Sequence, residues 1–329
     1  MTKKYFHYVT MPMHRLAMEP LFAELRARGW KEAAAGCHRD IAFVSCAEVI
    51  RPEYKEWSPI AWLPHGLSPA KWAYPAEFGQ GGATLPDLLL LPGRFYAERL
   101  VHGCASYLCP EIPHRVVGWP KSDSLFDGST QPVETSRPLI LFAPSWNDEN
   151  LTTVGTRPYT NQVKRILRGL GTLVVAQHPV YEERQKQGIA QLNEYLMAAD
   201  VVITDQSSIG IEAALIDKPV VHLFELYKQR GWKHRDGETF VVGHMATLNT
   251  LRESVQDALA NPSRYDFMRR YWREGMLSYP GDGARRAADA VEAFLDERVA
   301  CNEGDQYGKK VHEVYEAGRP EHDLDDQGS

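Results

Sequence analysis

Val201-Val202-Ile203-Thr204-Asp205-Gln206-Ser207-Ser208-Ile209-Gly210-Ile211-Glu212 is the stretch from which the rest of the chain can be read. Three apolar β-branched residues and a threonine make a short strand with no polar face, as in a strand covered on both sides. A loop of small hydroxyl residues follows, and a helix begins at once. The start of a helix offers unpaired backbone N–H groups and a partial positive charge, so the loop can hold an anion such as a diphosphate. Ser207 and Ser208 add hydroxyl donors there. Glu212 falls in the first turns, where its carboxylate could accept both hydroxyls of a ribose. The plainer alternative is that Ser207 or Ser208 only caps the helix and that Glu212 is a solvated helix residue. The local pattern leaves both open.

The same unit recurs on either side. Downstream of residue 138, apolar strands are expected at 139–143, 173–176, 201–204 and 220–224, with helices at 161–170, 189–198 and 211–216. Upstream, strands are expected at 5–10, 41–46, 60–63, 88–91 and 115–117. Met11, Pro12, Met13 and His14 read as a loop. Helices are expected at 18–28, stopped by Gly29, and at 94–101. Short apolar strands alternating with helices predict parallel sheets covered on both faces. Residues 127–138 are rich in Gly, Ser, Thr and Pro with no apolar period, which marks a linker. The fold class is therefore α/β, built of two Rossmann-like domains at 1–128 and 139–282, with a linker at 129–138. An amphipathic helix at 283–301 follows, and the polar tail at 302–329 is expected to be disordered.

With 329 residues and 43% hydrophobic content, the chain can bury the cores of about two domains. The formal net charge of −6 argues against a protein whose main task is gripping nucleic acid. The aromatic and basic stretch Lys71-Trp72-Ala73-Tyr74, with Arg94 and Arg99, reads better as packing or as the lining of an acceptor groove than as a stacking platform for a strand. No apolar run approaches the roughly 18 residues of a membrane span, and the N-terminus lacks the pattern of a signal peptide. Five cysteines, Cys37, Cys46, Cys104, Cys109 and Cys301, contain no CxxC pair. No disulfide framework or zinc ribbon is expected, and a reducing cytoplasmic setting fits.

Ligands of open parallel sheets bind beyond the carboxyl ends of the strands, so the loops there carry the chemistry. Besides the Asp205–Glu212 loop, three stand out. Gln177-His178-Pro179 could place an imidazole against a phosphate oxygen. Leu63-Pro64-His65-Gly66 sets a histidine beside a glycine that permits close approach. Imidazole titrates in the range needed to take a proton from an attacking hydroxyl. In Ala143-Pro144-Ser145-Trp146-Asn147, Trp146 could stack on a base and Ser145 could touch phosphate. Each has a structural alternative: a turn histidine, or a tryptophan packed at the domain seam.

The collinear order of APSW, HP, TDxSS before a helix, and Lys218-Pro219-Val220-Val221 resembles the glycerophosphotransferases that use CDP-glycerol to build teichoic-acid-like polymers. These are GT-B-fold enzymes, related to the hydrolysing UDP-N-acetylglucosamine 2-epimerase. Gly118-Trp119-Pro120-Lys121-Ser122-Asp123-Ser124-Leu125 is similar to that family's G-x-P-R-x-D-x-L junction between halves. Asp282-Gly283-Ala284-Arg285-Arg286 is similar to the start of its final helix. The likeness covers residues 60 to 300.

The resemblance implies two Rossmann-like domains facing a cleft, acceptor-side first and nucleotide-binding second, with the last helix packing back across them. It implies His65 as the base on the acceptor hydroxyl and His178 at the diphosphate. Ser207 and Ser208 would bind phosphate, and Asp205 would be a structural loop residue. Two departures stand out: the HG motif continues as Leu67-Ser68-Pro69-Ala70-Lys71 rather than TPLK, and Glu212 replaces a frequent aspartate.

The expected activity is a metal-independent transfer of a glycerophosphate or glycosyl group from a nucleotide-activated donor. The acceptor would be a hydroxyl on a glycan, polyol phosphate or lipid-linked molecule of the cell envelope. No cofactor is expected, because the nucleotide donor is a substrate. No DxD follows a strand, and Asp323-Leu324-Asp325 lies in the tail, so no metal is expected. Peripheral contact with the inner face of the membrane follows only from family habit. The rival readings are a hydrolysing nucleotide-sugar 2-epimerase, for which Asp123 and Glu149 would be candidate carboxylates, and a nucleotide-binding protein without turnover.

Overall fold

The structure, a computed structural model, describes residues 2–8, 12–45, 55, 58–67, 85–107, 112–144, 156–176, 188–205, 207–223 and 241–302. In the first half these form β1 (Lys4–His7), α1 (Pro12–Ala27), β2 (Lys31–Glu32), β3 (Ile41–Val44), β4 (Ile60–Trp62), β5 (Leu88–Leu91), α2 (Arg94–Tyr107) and β6 (His114–Val116). A 3-10 helix at Pro120–Leu125 leads into the second half: β7 (Leu139–Phe142), α3 (Thr156–Ile166), β8 (Thr172–Val175), α4 (Gly188–Ala198), β9 (Val201–Thr204), α5 (Ser208–Leu215), β10 (Val220–Leu223) and β11 (His244–Ala246). Three helices close the described chain: α6 (Leu251–Ala260), α7 (Asp266–Met276) and α8 (Gly283–Asn302).

All pairings in the two sheets are parallel. The six-stranded sheet runs β2-β1-β3-β4-β5-β6 and the five-stranded sheet runs β11-β10-β9-β7-β8. This is the two-sheet α/β architecture expected from the alternation of short apolar strands and helices. Successive strand residues point to opposite faces. Leu88 and Leu90 accordingly join α1 and α8 in one core, while Leu89 and Leu91 join α2 in another. The latter core runs on into the second half through Leu141, Val202, Ile211 and Ala214. A third core covers the outer face of the second sheet with Val163, Val255 and Ala258.

The expected loop at residues 11–14 is corrected. Met11 lies outside the described residues, but α1 begins at Pro12 and includes His14 in its first turn. Proline suits the first helical position because its missing N–H has no partner there in any case. At the other end, Gly29 adopts φ +86°, and the Trp30 N–H reaches back to the Leu25 carbonyl at 3.0 Å, a left-handed stop.

The last helix packs on the first half, as the resemblance implied. Ala287, Ala288, Val291 and Phe294 join Tyr5, Met18, Phe22 and Phe43. Burying Val291 and Phe294 contributes on the order of 1.5–3 kcal/mol each. The start of α8 is held from a distance: the Asp123 carboxylate accepts the N–H groups of Gly283 at 2.9 Å and Ala284 at 2.7 Å. Asp123, a candidate catalytic carboxylate for the epimerase reading, is thus engaged as a cap. Burial pushes its pKa up to about 6, against the pull of those two N–H groups.

Candidate active site

Each sheet contains one place where successive connections leave in opposite directions, and such a switch point opens a crevice beyond the strand ends. In the second sheet β7 is followed by β8 on one side, while β9 lies on its other side and continues to β10. The crevice therefore opens between the ends of β7 and β9. The Thr204 hydroxyl donates to the Ala143 carbonyl at 2.7 Å, which ties the two loop starts together. The loop after β9 is the one that carries the serine pair.

That loop is built by local hydrogen bonds. The Ser207 N–H donates to the Asp205 carboxylate at 3.0 Å, a turn that Asp readily makes with the backbone two residues on. Ser207 is the N-cap of α5, and its hydroxyl accepts the Ile209 N–H at 3.5 Å. Ser207 thus adopts the capping geometry weighed from sequence. Asp205 is buried, and its backbone carbonyl accepts from Nδ1 of His222 on β10 at 3.0 Å. The opposite ring atom, Nε2, accepts the Val242 N–H at 3.1 Å. Both contacts specify the neutral Nδ1–H tautomer, and full burial lowers the His222 pKa to about 4.

Glu212 is not solvated; it is 2% exposed. Its Oε1 accepts from Ser208 Oγ at 3.1 Å and from Lys121 Nζ at 2.9 Å, and its Oε2 accepts from Lys121 Nζ at 3.0 Å. Lys121 comes from the 3-10 helix, so this ion pair joins the junction to the helix that starts at the serine pair. Its ammonium also lies 4.8 Å from the centre of the Trp119 ring.

The junction reaches the first half as well. Trp119 Nε1 donates to the Pro64 carbonyl at 2.9 Å, one residue before His65. Asn193 of α4 donates to Ser124 Oγ at 3.0 Å. Gly118, at φ +91°, has no room for a side chain, since a Cβ there would lie 2.7 Å from the Ser278 carbonyl oxygen. Within the stretch 118–125, Trp119, Lys121, Asp123 and Ser124 thus hold the His65 loop, α5, α8 and α4 in turn.

The first sheet has its switch point between β1 and β3, because β1 continues to β2 on one side and β3 lies on the other. His65 stands near this crevice. Its Nδ1 is 3.1 Å from the Ser45 carbonyl. A carbonyl only accepts, so Nδ1 carries hydrogen and the acceptor lone pair of the neutral ring sits on Nε2. His14 of α1 stacks on His65 with ring centres 4.1 Å apart and planes inclined by 29°. His7, at the end of β1, is 4% exposed, and neither ring nitrogen has a hydrogen-bond partner among the described residues; the same holds for Ser45 Oγ. Burial, with the nearby Arg15 and His14, lowers the His7 pKa to about 3.

Of the residues named from sequence, the structure places His65 in the first half and Ser207, Ser208 and Glu212 together in the second. Ser145, Trp146, Glu149 and His178 lie outside the described residues, as do Lys71, Trp72 and Tyr74. Sequence reading missed His7, His14, Ser45 and the pairing of Lys121 with Glu212. Lys121 was legible only as part of a junction motif. The sequence around Met11 to His14 reads as a loop, although a proline at a helix start is a usable signal of the opposite.

Comparison with known proteins follows the same outline. Residues 105–292 match the family described as CDP-glycerol:poly(glycerophosphate) glycerophosphotransferase. A teichoic acid glycerol-phosphate primase from Bacillus subtilis is 26% identical over 133 residues, covering 35% of this chain and 35% of that protein. The matched stretch thus spans about a third of that curated relative. The wall teichoic acid polymerase TagF superposes over 90% of both chains with a TM-score of 0.63 at 13% identity. UDP-GlcNAc 2-epimerase from Neisseria meningitidis, bound to UDP-GlcNAc, superposes over 89% of this chain and 100% of its own with a TM-score of 0.51 at 12% identity. At such identities the likeness is one of fold, and it agrees with the GT-B-like arrangement of two Rossmann-like domains.

Proposed function

The chain belongs to the CDP-glycerol:poly(glycerophosphate) glycerophosphotransferase family, and from that membership we propose that it transfers glycerophosphate from CDP-glycerol to an acceptor hydroxyl. The acceptor in this reading is a polyol-phosphate or lipid-linked glycan of the cell envelope, met at the membrane surface. Among the described residues no helix is long and apolar enough to cross a membrane. The observation that carries the reading is the junction 118–125, which bonds to the loop of the proposed base and to the helix of the proposed donor site.

In the proposed reaction, residues 139–282 bind the donor and residues 1–128 present the acceptor. The diphosphate sits beyond β9 at Ser207 and Ser208; Ser145 and Trp146, further donor-side candidates from sequence, lie outside the described residues. The acceptor oxygen forms a new P–O bond to the phosphorus that bears glycerol. The phosphoanhydride P–O bond breaks, CMP leaves, and His65 Nε2 takes the acceptor proton. His178 balances the charge that grows on the leaving phosphate, an electrostatic contribution of the kind that is often the largest. No metal or cofactor enters this scheme.

The role of Glu212 can be framed by counting lone pairs. A carboxylate offers about four acceptor sites. Three are occupied by Lys121, twice, and Ser208. One ribose hydroxyl can be added at Oε2, whereas both can bind only if Lys121 or Ser208 yields a contact.

The test is donor binding followed by turnover. CDP-glycerol, UDP-sugars and CMP are compared by thermal shift, since a ligand at 100 times its Kd stabilises by about 2.7 kcal/mol. The expected result is a shift with CDP-glycerol, CMP release that requires a polyol-phosphate acceptor, and a His65→Ala variant that binds donor but does not turn it over. A shift with UDP-sugars alone, or full turnover by His65→Ala, overturns the reading.

A further inference from the structure

His65 donates a hydrogen bond from Nδ1 to the Ser45 carbonyl at 3.1 Å. That bond selects the tautomer with its lone pair on Nε2, but a single hydrogen bond, worth about 0.5–1.5 kcal/mol net, does not by itself hold the ring, which can rotate about its side-chain bonds away from the carbonyl and so lose both its plane and that selection. The second constraint comes from another element. The His14 ring lies over one face of His65 with centres 4.1 Å apart. His14 sits in the first turn of α1, whose inner face is anchored by Met18, Leu21, Phe22 and Leu25 in the core beneath the sheet. The platform is therefore rigid, and it is buried at 3% exposure.

The surroundings are not those of ordinary packing. Burying polar atoms without partners costs stability, yet this crevice holds His7 and the Ser45 hydroxyl with no hydrogen-bond partner among the described residues. Both lie at the ends of the strands flanking the switch point of the first sheet. Such groups are what a hydroxyl-rich acceptor could satisfy.

We propose that His14 is a positioning residue for His65: its stacked ring fixes the plane of the His65 imidazole so that Nε2 points at the acceptor hydroxyl. The inference rests on the reading of His65 as the base. His14 itself exchanges no proton with the substrate.

The experiment compares His14→Ala, which removes the face, with His14→Phe, which keeps an aromatic face without nitrogen. Two readouts are taken on the whole chain. The first is steady-state transfer from CDP-glycerol, followed as CMP release. Loss of the platform is expected to lower kcat about 10- to 100-fold, the scale of a misplaced reacting group, with the donor KM within about twofold. His14→Phe should regain most of the loss. The second is the tautomer of His65 from nitrogen-15 NMR, assigned with His65→Gln. Wild type and His14→Phe should show the Nδ1–H form, and His14→Ala a mixture.

The proposal is overturned if His14→Ala leaves both kcat and the His65 tautomer unchanged, or if His14→Phe is as impaired as His14→Ala. If the wild-type chain turns over no CDP-glycerol, the proposed function fails by itself, and the tautomer comparison still decides the role of His14. Should His14→Ala not fold, His14→Gln, which also lacks a stacking ring, takes its place under the same criteria.

Discussion

Acidification should destabilise this fold in part through the imidazole beneath the serine loop. His222 is fully buried, donates from Nδ1 to the Asp205 carbonyl at 3.0 Å and accepts the Val242 N–H on Nε2 at 3.1 Å. A second proton would occupy the lone pair that Val242 uses and place a charge in the core. The folded pKa is accordingly depressed from 6.5 to about 4. A depressed folded pKa means that the unfolded chain binds the proton first. The stabilising contribution is thus present above pH 6.5 and lost as pH falls toward 4. The slope is about 1.4 kcal/mol per pH unit, so roughly 2 kcal/mol is lost by pH 5. The perturbation is His222→Asn, whose amide can still donate to the Asp205 carbonyl but leaves the Val242 N–H unmet, at a cost of about 1–3 kcal/mol at pH 7. Urea denaturation of both proteins at pH 7 and pH 5 is the assay. The variant should be the less stable at pH 7 and should lose roughly 2 kcal/mol less than wild type between the two values. An identical pH dependence in the two proteins would refute the assignment of a neutral, doubly bonded imidazole at this position.

Two further outcomes follow from the junction. Lys121→Ala leaves the Glu212 carboxylate buried with only Ser208 as a side-chain partner among the described residues, and breaking a buried pair costs about 3–5 kcal/mol. Lys121 retains 11% exposure, which points to the lower end; the double variant Lys121→Met with Glu212→Gln should recover most of the loss in urea denaturation. Asp123→Ala removes the acceptor for two N–H groups at the start of α8 and should lower stability by about 1–2 kcal/mol, read as a lower Tm. The pH trend of Asp123 is opposite to that of His222. Its folded pKa is raised from 3.8 to about 6, so its contribution is full below pH 3.8 and is lost as pH rises through 6, and Asp123→Asn should flatten that part of the stability curve.

Much of the architecture was legible in the sequence because burial writes a local pattern. Leu88 to Leu91, Leu139 to Phe142 and Val201 to Thr204 have no polar face, and each proved to be an interior strand of a parallel sheet. β2, a pair of exposed charged residues at a sheet edge, has no such pattern and was not anticipated. The sequence expectation likewise holds no element over β11, α6 and α7. Pro12 shows a different failure. Its helix-starting preference was outweighed by the absence of an apolar period around Met11 to His14, and the helix is fixed there by the packing of its later turns on the sheet.

The candidate site divides along the same line. Sequence by itself marked the Ser207–Ser208 loop and His65, because a strand end and a helix start are each encoded within a few neighbouring residues, while the junction motif was legible only through its resemblance to the family pattern. Only the tertiary structure decided which polar groups meet: Lys121 with Glu212, 91 positions apart, Asp123 with Gly283, 160 apart, and His14 with His65. Periodicity records whether a side chain is buried. The partner of a buried polar group depends on strand order and on how helices cross the sheets, and in this chain those are settled by packing between segments far apart in sequence.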